Sequence, residues 1–165
     1  MNCPNCGAPM RLEEGRECLT CDYCKNIVFP EKNEDAIRVL DEASELSCPV
    51  CATPLGRAIL AANPILYCAH CRGSLISATV FATIVESLRA QRGVDAAIPH
   101  PPDQRELDRR ILCPQCHREM DTHYYAGGGN IVIDDCARCE LNWLDGGELR
   151  VLVCAPGRAY GAEAG

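Results

Sequence analysis

Aromatic residues are scarce in this chain: two Phe, one Trp and five Tyr in 165 residues. So few large rings cannot anchor one extended core, so small stapled modules are expected instead. No apolar run approaches the roughly 18 residues that span a membrane. The start, Met1-Asn2-Cys3-Pro4-Asn5-Cys6, has no basic residue followed by an apolar stretch. No secretory leader is therefore expected, and a cytoplasmic location is. Excess positive charge is also missing, since the formal net charge is -7. That disfavours nucleic acid as the default partner, because non-specific affinity for it comes from cations displacing counterions. Only residues 48–100 carry a positive balance, from Arg57, Arg72, Arg89 and Arg92. There is no Ser/His/Asp order, phosphate loop or dinucleotide fingerprint, so no enzyme is predicted.

What the chain has is cysteine, 14 residues of it. Twelve fall into three sets of two Cys-x-x-Cys pairs. Cys3/Cys6 goes with Cys21/Cys24, Cys48/Cys51 with Cys68/Cys71, and Cys113/Cys116 with Cys136/Cys139. A reducing compartment keeps such thiols free, so paired knuckles point to metal rather than disulfides. Each pair rims a tight turn, and two turns can present four thiolates to one ion. Four thiolates suit zinc or a single iron, and the knuckle spacing favours zinc, three ions per chain. Four protein ligands leave no open position, which argues against hydrolytic zinc chemistry.

The register of this repeat extends past the cysteines. Pro4, Pro49 and Pro114 each follow the first cysteine of a set. Apolar pairs recur just after the last one: Val28-Phe29, Leu75-Ile76 and Trp143-Leu144. Between the knuckles of each set lies a hairpin signal, with tips expected at Glu14-Gly15, Ala62-Asn63-Pro64 and Gly127–Asn130. The unit is a zinc ribbon: two knuckles, a β-hairpin and a third strand. The predicted fold is therefore a small metal-stabilised α+β chain of three ribbons, each followed by a helix.

The predicted boundaries are ribbon 1 at 1–30, a helix at 31–46, ribbon 2 at 47–77 and a helix at 78–92. A Pro-rich linker follows at 93–110, then ribbon 3 with a short helix at 111–153, and a disordered tail at 154–165. Asp145 and Ser77 are expected as helix N-caps. Ribbons 1 and 2, with almost no spacer between them, are expected to form the coupled pair.

Cys18-x-x-Cys21-x-x-Cys24 offers two ligand choices. The repeat register favours Cys21/Cys24, because it places Ile27-Val28-Phe29 where the other copies have their third strand. Cys18 then reads as a small buried residue and Cys154 as a half-buried helix residue. His70, His117 and His123 are expected to be exposed. Asp134-Asp135 reads as a solvated strand end, and Tyr124-Tyr125 as packing for the third hairpin.

Residues 112–150 carry a more specific pattern. It runs from Leu112 and the Cys113/Cys116 knuckle through Ile131-Val132-Ile133-Asp134 and Cys136/Cys139 to Trp143-Leu144-Asp145-Gly146-Gly147-Glu148-Leu149. This stretch resembles the transcription-factor-IIB-type zinc ribbon of small bacterial proteins. The resemblance implies zinc on the four cysteines and a ribbon that ends by opening a helix. The family's usual Gly-Gly after the last cysteine is Glu140-Leu141 here. The name implies a fold and no activity. The function expected is a non-enzymatic, zinc-stabilised adaptor whose partner is another protein, and no membrane is involved. The alternative is a nucleic-acid or transcription-associated factor that uses the ribbons.

Overall fold

The computed structural model describes residues 1–13, 15–91, 101, 104–125 and 130–155. Ribbon 1 forms a three-stranded sheet of β1 (Met10–Leu12), β2 (Leu19–Cys21) and β3 (Ile27–Val28). The remaining strands form one seven-stranded sheet: β4 (Arg38–Ser47), β5 (Pro54–Leu60), β6 (Asn63–Tyr67), β7 (Ser74–Ser77), β8 (Asp121–Tyr124), β9 (Val132–Cys136) and β10 (Leu141–Leu144). Their spatial order is β4-β5-β6-β7-β10-β9-β8.

The third strands of ribbons 2 and 3 pair antiparallel at the centre of this sheet, β7 against β10. The coupled pair is thus ribbons 2 and 3, rather than ribbons 1 and 2 as the short spacer suggested. The reason lies in the side chains. Leu75 and Ile76, like Trp143 and Leu144, are apolar on both faces, and only a strand buried on both sides satisfies that. All four are buried. Trp143 and Leu75 join the knuckle cysteines on one face, with Leu55, Ile111 and Met120. Ile76 and Leu144 lie on the other face under two helices.

Those helices are α1 (Ala78–Gln91) and α3 (Glu148–Cys154). α1 starts and stops close to expectation, while residue 92 lies outside the described set. Its buried Phe81, Ile84 and Val85 pack with Leu149, Leu152 and Val153 of α3. The Arg89 guanidinium ties the two helices by donating to the Leu152 carbonyl at 2.9 Å.

The helix expected at 31–46 is a strand. The Asn33 side chain accepts from the amides of Asp35 and Ile37, both at 3.0 Å, and Ala36 is left-handed at φ 61°. That turn stops helix nucleation, and pairing of β4 with the long β5 then overrides the 3.6-residue apolar spacing. Leu40 and Leu46 are half-buried on β4, whereas Val39 is exposed. The linker expected at 93–110 contains a helix, α2 (Gln104–Asp108). Of the expected tail, residues 154 and 155 belong with α3 and the remainder lies outside the described set.

The second hairpin turns at Ala61-Ala62, one residue earlier than expected. Both alanines are left-handed, at φ 46° and 63°, and Leu60 pairs with Asn63. The Asn63 amide closes the turn on the Ala61 carbonyl at 2.7 Å. At the other tips, Gly15 and Asn130 have the expected positive φ, while Glu14 and residues 127–129 lie outside the described set.

Candidate metal centres

Five of the six knuckles follow one backbone plan, and in the sixth the Cys139 amide donates to the Cys136 carbonyl at 3.2 Å. The amide after the second cysteine donates to the carbonyl of the first: Gly7 to Cys3, Lys25 to Cys21, Ala52 to Cys48, Arg72 to Cys68 and His117 to Cys113, at 2.8–3.0 Å. The first cysteine's own amide donates to the carbonyl one residue further on, as from Cys48 to Thr53 at 2.7 Å. This geometry forces the residue after the second cysteine into the left-handed region. Gly7, Lys25, Ala52, Arg72, His117 and Glu140 all have φ between 52° and 75°. Only the first of the six is glycine. Glu140, standing where the resembling family has glycine, adopts the same conformation as the rest.

The plan brings twelve sulfurs into three groups: Cys3, Cys6, Cys21 and Cys24; Cys48, Cys51, Cys68 and Cys71; and Cys113, Cys116, Cys136 and Cys139. Within each group the Sγ atoms lie within 4.8 Å of one another. Close Sγ pairs are 3.5 Å for Cys3–Cys24 and Cys6–Cys21, 3.4 Å for Cys51–Cys68 and 3.6 Å for Cys116–Cys136. A tetrahedral ion with bonds of about 2.3 Å requires sulfurs roughly 3.8 Å apart, so the donor sets fit such an ion after slight expansion.

Electrostatics favour a cation there. The Asn26 amide pulls the Cys24 thiol down to about 6, and the Arg118 amide pulls Cys116 down to about 7. Burial and the neighbouring sulfurs push Cys139 up to about 12. Four adjacent thiols cannot all ionise alone, and a divalent ion removes that conflict. The Thr53 hydroxyl, 3.1 Å from Cys51 and 3.3 Å from Cys68, adds a donor to the middle group. The three groups are compatible with zinc, and four sulfurs each make closed sites.

Cys18 lies outside these groups, 2% exposed within ribbon 1, and Cys154 is half-buried on α3. His70 and His117 are exposed, and the His123 Nδ1 lies 3.3 Å from the Asp135 carboxylate. Tyr125 packs edge-on against Phe81, with centroids 5.5 Å apart, while Tyr124 is 45% exposed.

Asp134 corrects the expectation of a solvated strand end. It is 1% exposed, with Arg109 donating to it at 2.8 Å and the Thr122 hydroxyl donating as well. Arg109 also reaches Asp145 at 2.6 Å. Asp145 in turn accepts from the Trp143 indole at 3.0 Å, so its carboxylate serves the ring rather than capping α3. Arg109 sits in what reads as linker, so no local pattern marked this network.

Ribbon 1 leans over the large sheet and leaves a cleft of about 420 Å³. Met10, Leu12 and Leu19 line one wall, and Leu40, Leu66 and Leu75 the other. The Met1 amino group meets Glu42 at its rim.

Comparison with family models, curated proteins and solved structures returns no match.

Proposed function

We propose that this protein is a zinc-stabilised, non-enzymatic adaptor that docks another protein. The metal centres are structural in this reading. Each holds one zinc on its four cysteines, with no vacancy for water or substrate. The third ribbon would then be of the transcription-factor-IIB type that residues 112–150 resemble. A reducing compartment such as the cytoplasm keeps the thiols available.

The observation that supports docking is the leucine-lined cleft between ribbon 1 and the sheet, sized for one or two large apolar side chains. Three of the four middle arginines are already engaged, which weighs against nucleic acid. Arg72 bonds Asp35 at 2.8 Å, Arg57 lies 4.0 Å from Glu42, and Arg89 holds Leu152.

Metal analysis of reduced protein should return three zinc ions per chain, and fewer than about 2.5 rejects the structural-zinc reading. Affinity capture should compare the natural chain with a Leu40→Asp variant of equal zinc content. A partner held by the first and lost by the second supports the adaptor. Capture unchanged by the variant, or salt-dependent binding to nucleic acid instead, rejects it.

A further inference from the structure

Ribbons 2 and 3 join through equivalent strands. Leu75 and Trp143 each lie four residues after the last cysteine of their ribbon, and they face each other. Ile76 faces Asn142 and Ser74 faces Leu144, so the pairing is symmetrical about Leu75–Trp143. The Ala78 amide donates to the Glu140 carbonyl at 2.8 Å. By the antiparallel alternation, Leu75–Trp143 is then a non-hydrogen-bonded pair and Ile76–Asn142 a hydrogen-bonded one.

The chain has an odd number of ribbons, and ribbon 1 keeps the same strand unpaired. β3 is an edge, with β2 on its inner side and no strand on its outer side among the described residues. The Cys21 amide donates to the Asn26 carbonyl at 2.9 Å, and Leu19 faces Val28. That register turns Val28's polar groups toward β2 and those of Ile27 and Phe29 outward. Both outward residues are large and apolar, Ile27 50% exposed and Phe29 65% exposed. An edge of this kind is a template for another strand.

The geometry points to a homodimer in which β3 pairs antiparallel with β3 of a second copy, about a two-fold axis at Val28. Val28 is the position equivalent to Leu75 and Trp143. The same register sets Ile27 against Phe29 of the second copy, in both directions, through hydrogen-bonded pairs. It sets Pro30 at a non-hydrogen-bonded position opposite Asn26, where its missing amide is not needed. Beyond the strand ends it brings the exposed knuckle residue Lys25 near Glu31 of the second copy, as Arg72 lies against Gly146 beside the β7–β10 pair, giving two complementary charge pairs. An edge whose apolar and charged residues both find their complement in the same stretch suits a second copy rather than an unrelated strand. The pairing leaves the cleft free, so it stands independently of the adaptor reading.

Sedimentation of the zinc-loaded full chain is the test, run from about 10 micromolar to 1 millimolar, the range suited to a small interface. The mass should rise from 18.0 kDa toward twice that value. A double variant, Ile27→Lys with Phe29→Lys, should raise the dimer Kd at least about tenfold at unchanged zinc content. Glu31→Lys should weaken the dimer, and adding Lys25→Glu should restore it. A carbodiimide should join Lys25 to Glu31 between isotopically labelled and unlabelled chains. Within one chain the two residues lie six apart on either side of β3, separated by an extended run of up to roughly 20 Å, so a link between differently labelled chains reports the pairing. A monomer throughout, a dimer indifferent to the double variant, or a dimer without the cross-link overturns the inference.

Discussion

A Cβ on Gly73 would lie 2.2 Å from Cζ2 of Trp143. The ring of ribbon 3 occupies the space that any side chain at this position of ribbon 2 would need, and Trp143 is fully buried. Gly73→Ala is expected to destabilise the fold by about 1–3 kcal/mol, as overpacking does. Trp143→Ala should destabilise by about 3–5 kcal/mol through the cavity it leaves. Combining them should give less than the sum, because the alanine methyl then enters the vacated space. Denaturant titration of the two single variants and the double variant measures this coupling.

The knuckle turns give a second expectation. Ala52 is held at φ 58° with the strain of a non-glycine residue in the left-handed region. Ala52→Gly should stabilise by about 0.5–1 kcal/mol, the relieved strain less the added chain entropy. Glu140→Gly, at φ 52°, should do the same in ribbon 3. A rise in thermal midpoint at constant zinc content checks both.

Metal loss should act unequally. Cys24→Ser removes one sulfur from ribbon 1, which shares no strand with the large sheet. Its loss should leave the α1 amides protected in hydrogen exchange. Cys136→Ser alters a cysteine that ends β9, the strand paired with β10 in the joint sheet, and should expose α1 and α3 together. Chelation of all sites should unfold the chain.

Glu148 sets a pH dependence. Burial, with Asp145 and Glu106 close by, raises its carboxyl to about 8, against the pull of the Asp145 amide at 2.6 Å and of Arg109. The folded state therefore holds a proton that the unfolded chain has released above the ordinary carboxylate range. Stability from this group is present at low pH and is lost as pH rises from that range through about 8. Glu148→Gln should flatten this decline, as urea midpoints measured across that window will show.

Arg109 is expected to matter more than its linker position suggests. Arg109→Ala strands the buried Asp134 carboxylate and should destabilise by about 3–5 kcal/mol. Adding Asp134→Asn should recover part of that loss, because the buried charge goes with it. Equilibrium unfolding of both variants tests the pair.

Much of the local structure was legible in the cysteine spacing. The six knuckles, the third strands and α1 follow from residues within one ribbon, where turn chemistry and apolar register act over short distances. The grouping of Cys21 with Cys24, leaving Cys18 buried outside the cluster, came from comparing the copies with one another. What escaped depends on contacts made across ribbons. The apolar spacing of Ile37, Leu40 and Ala43 suits a helix locally, and only the Asn33 turn and the presence of β5 make it a strand. The pairing of β7 with β10, and Arg109 reaching Asp134, join segments that carry no mutual signal in a single sequence.

The meeting of β7 with β10 also sets an order of events during synthesis. The four cysteines of ribbon 1 and the four of ribbon 2 are all complete by Cys71. β7 ends at Ser77, yet its partner begins only at Leu141. Until then Leu75 and Ile76 lie uncovered on an open edge, in a nascent chain that is already partly folded. The interval before ribbon 3 emerges is therefore when this protein is most prone to aggregation, and slow filling of the last four cysteines by a metal ion would prolong it.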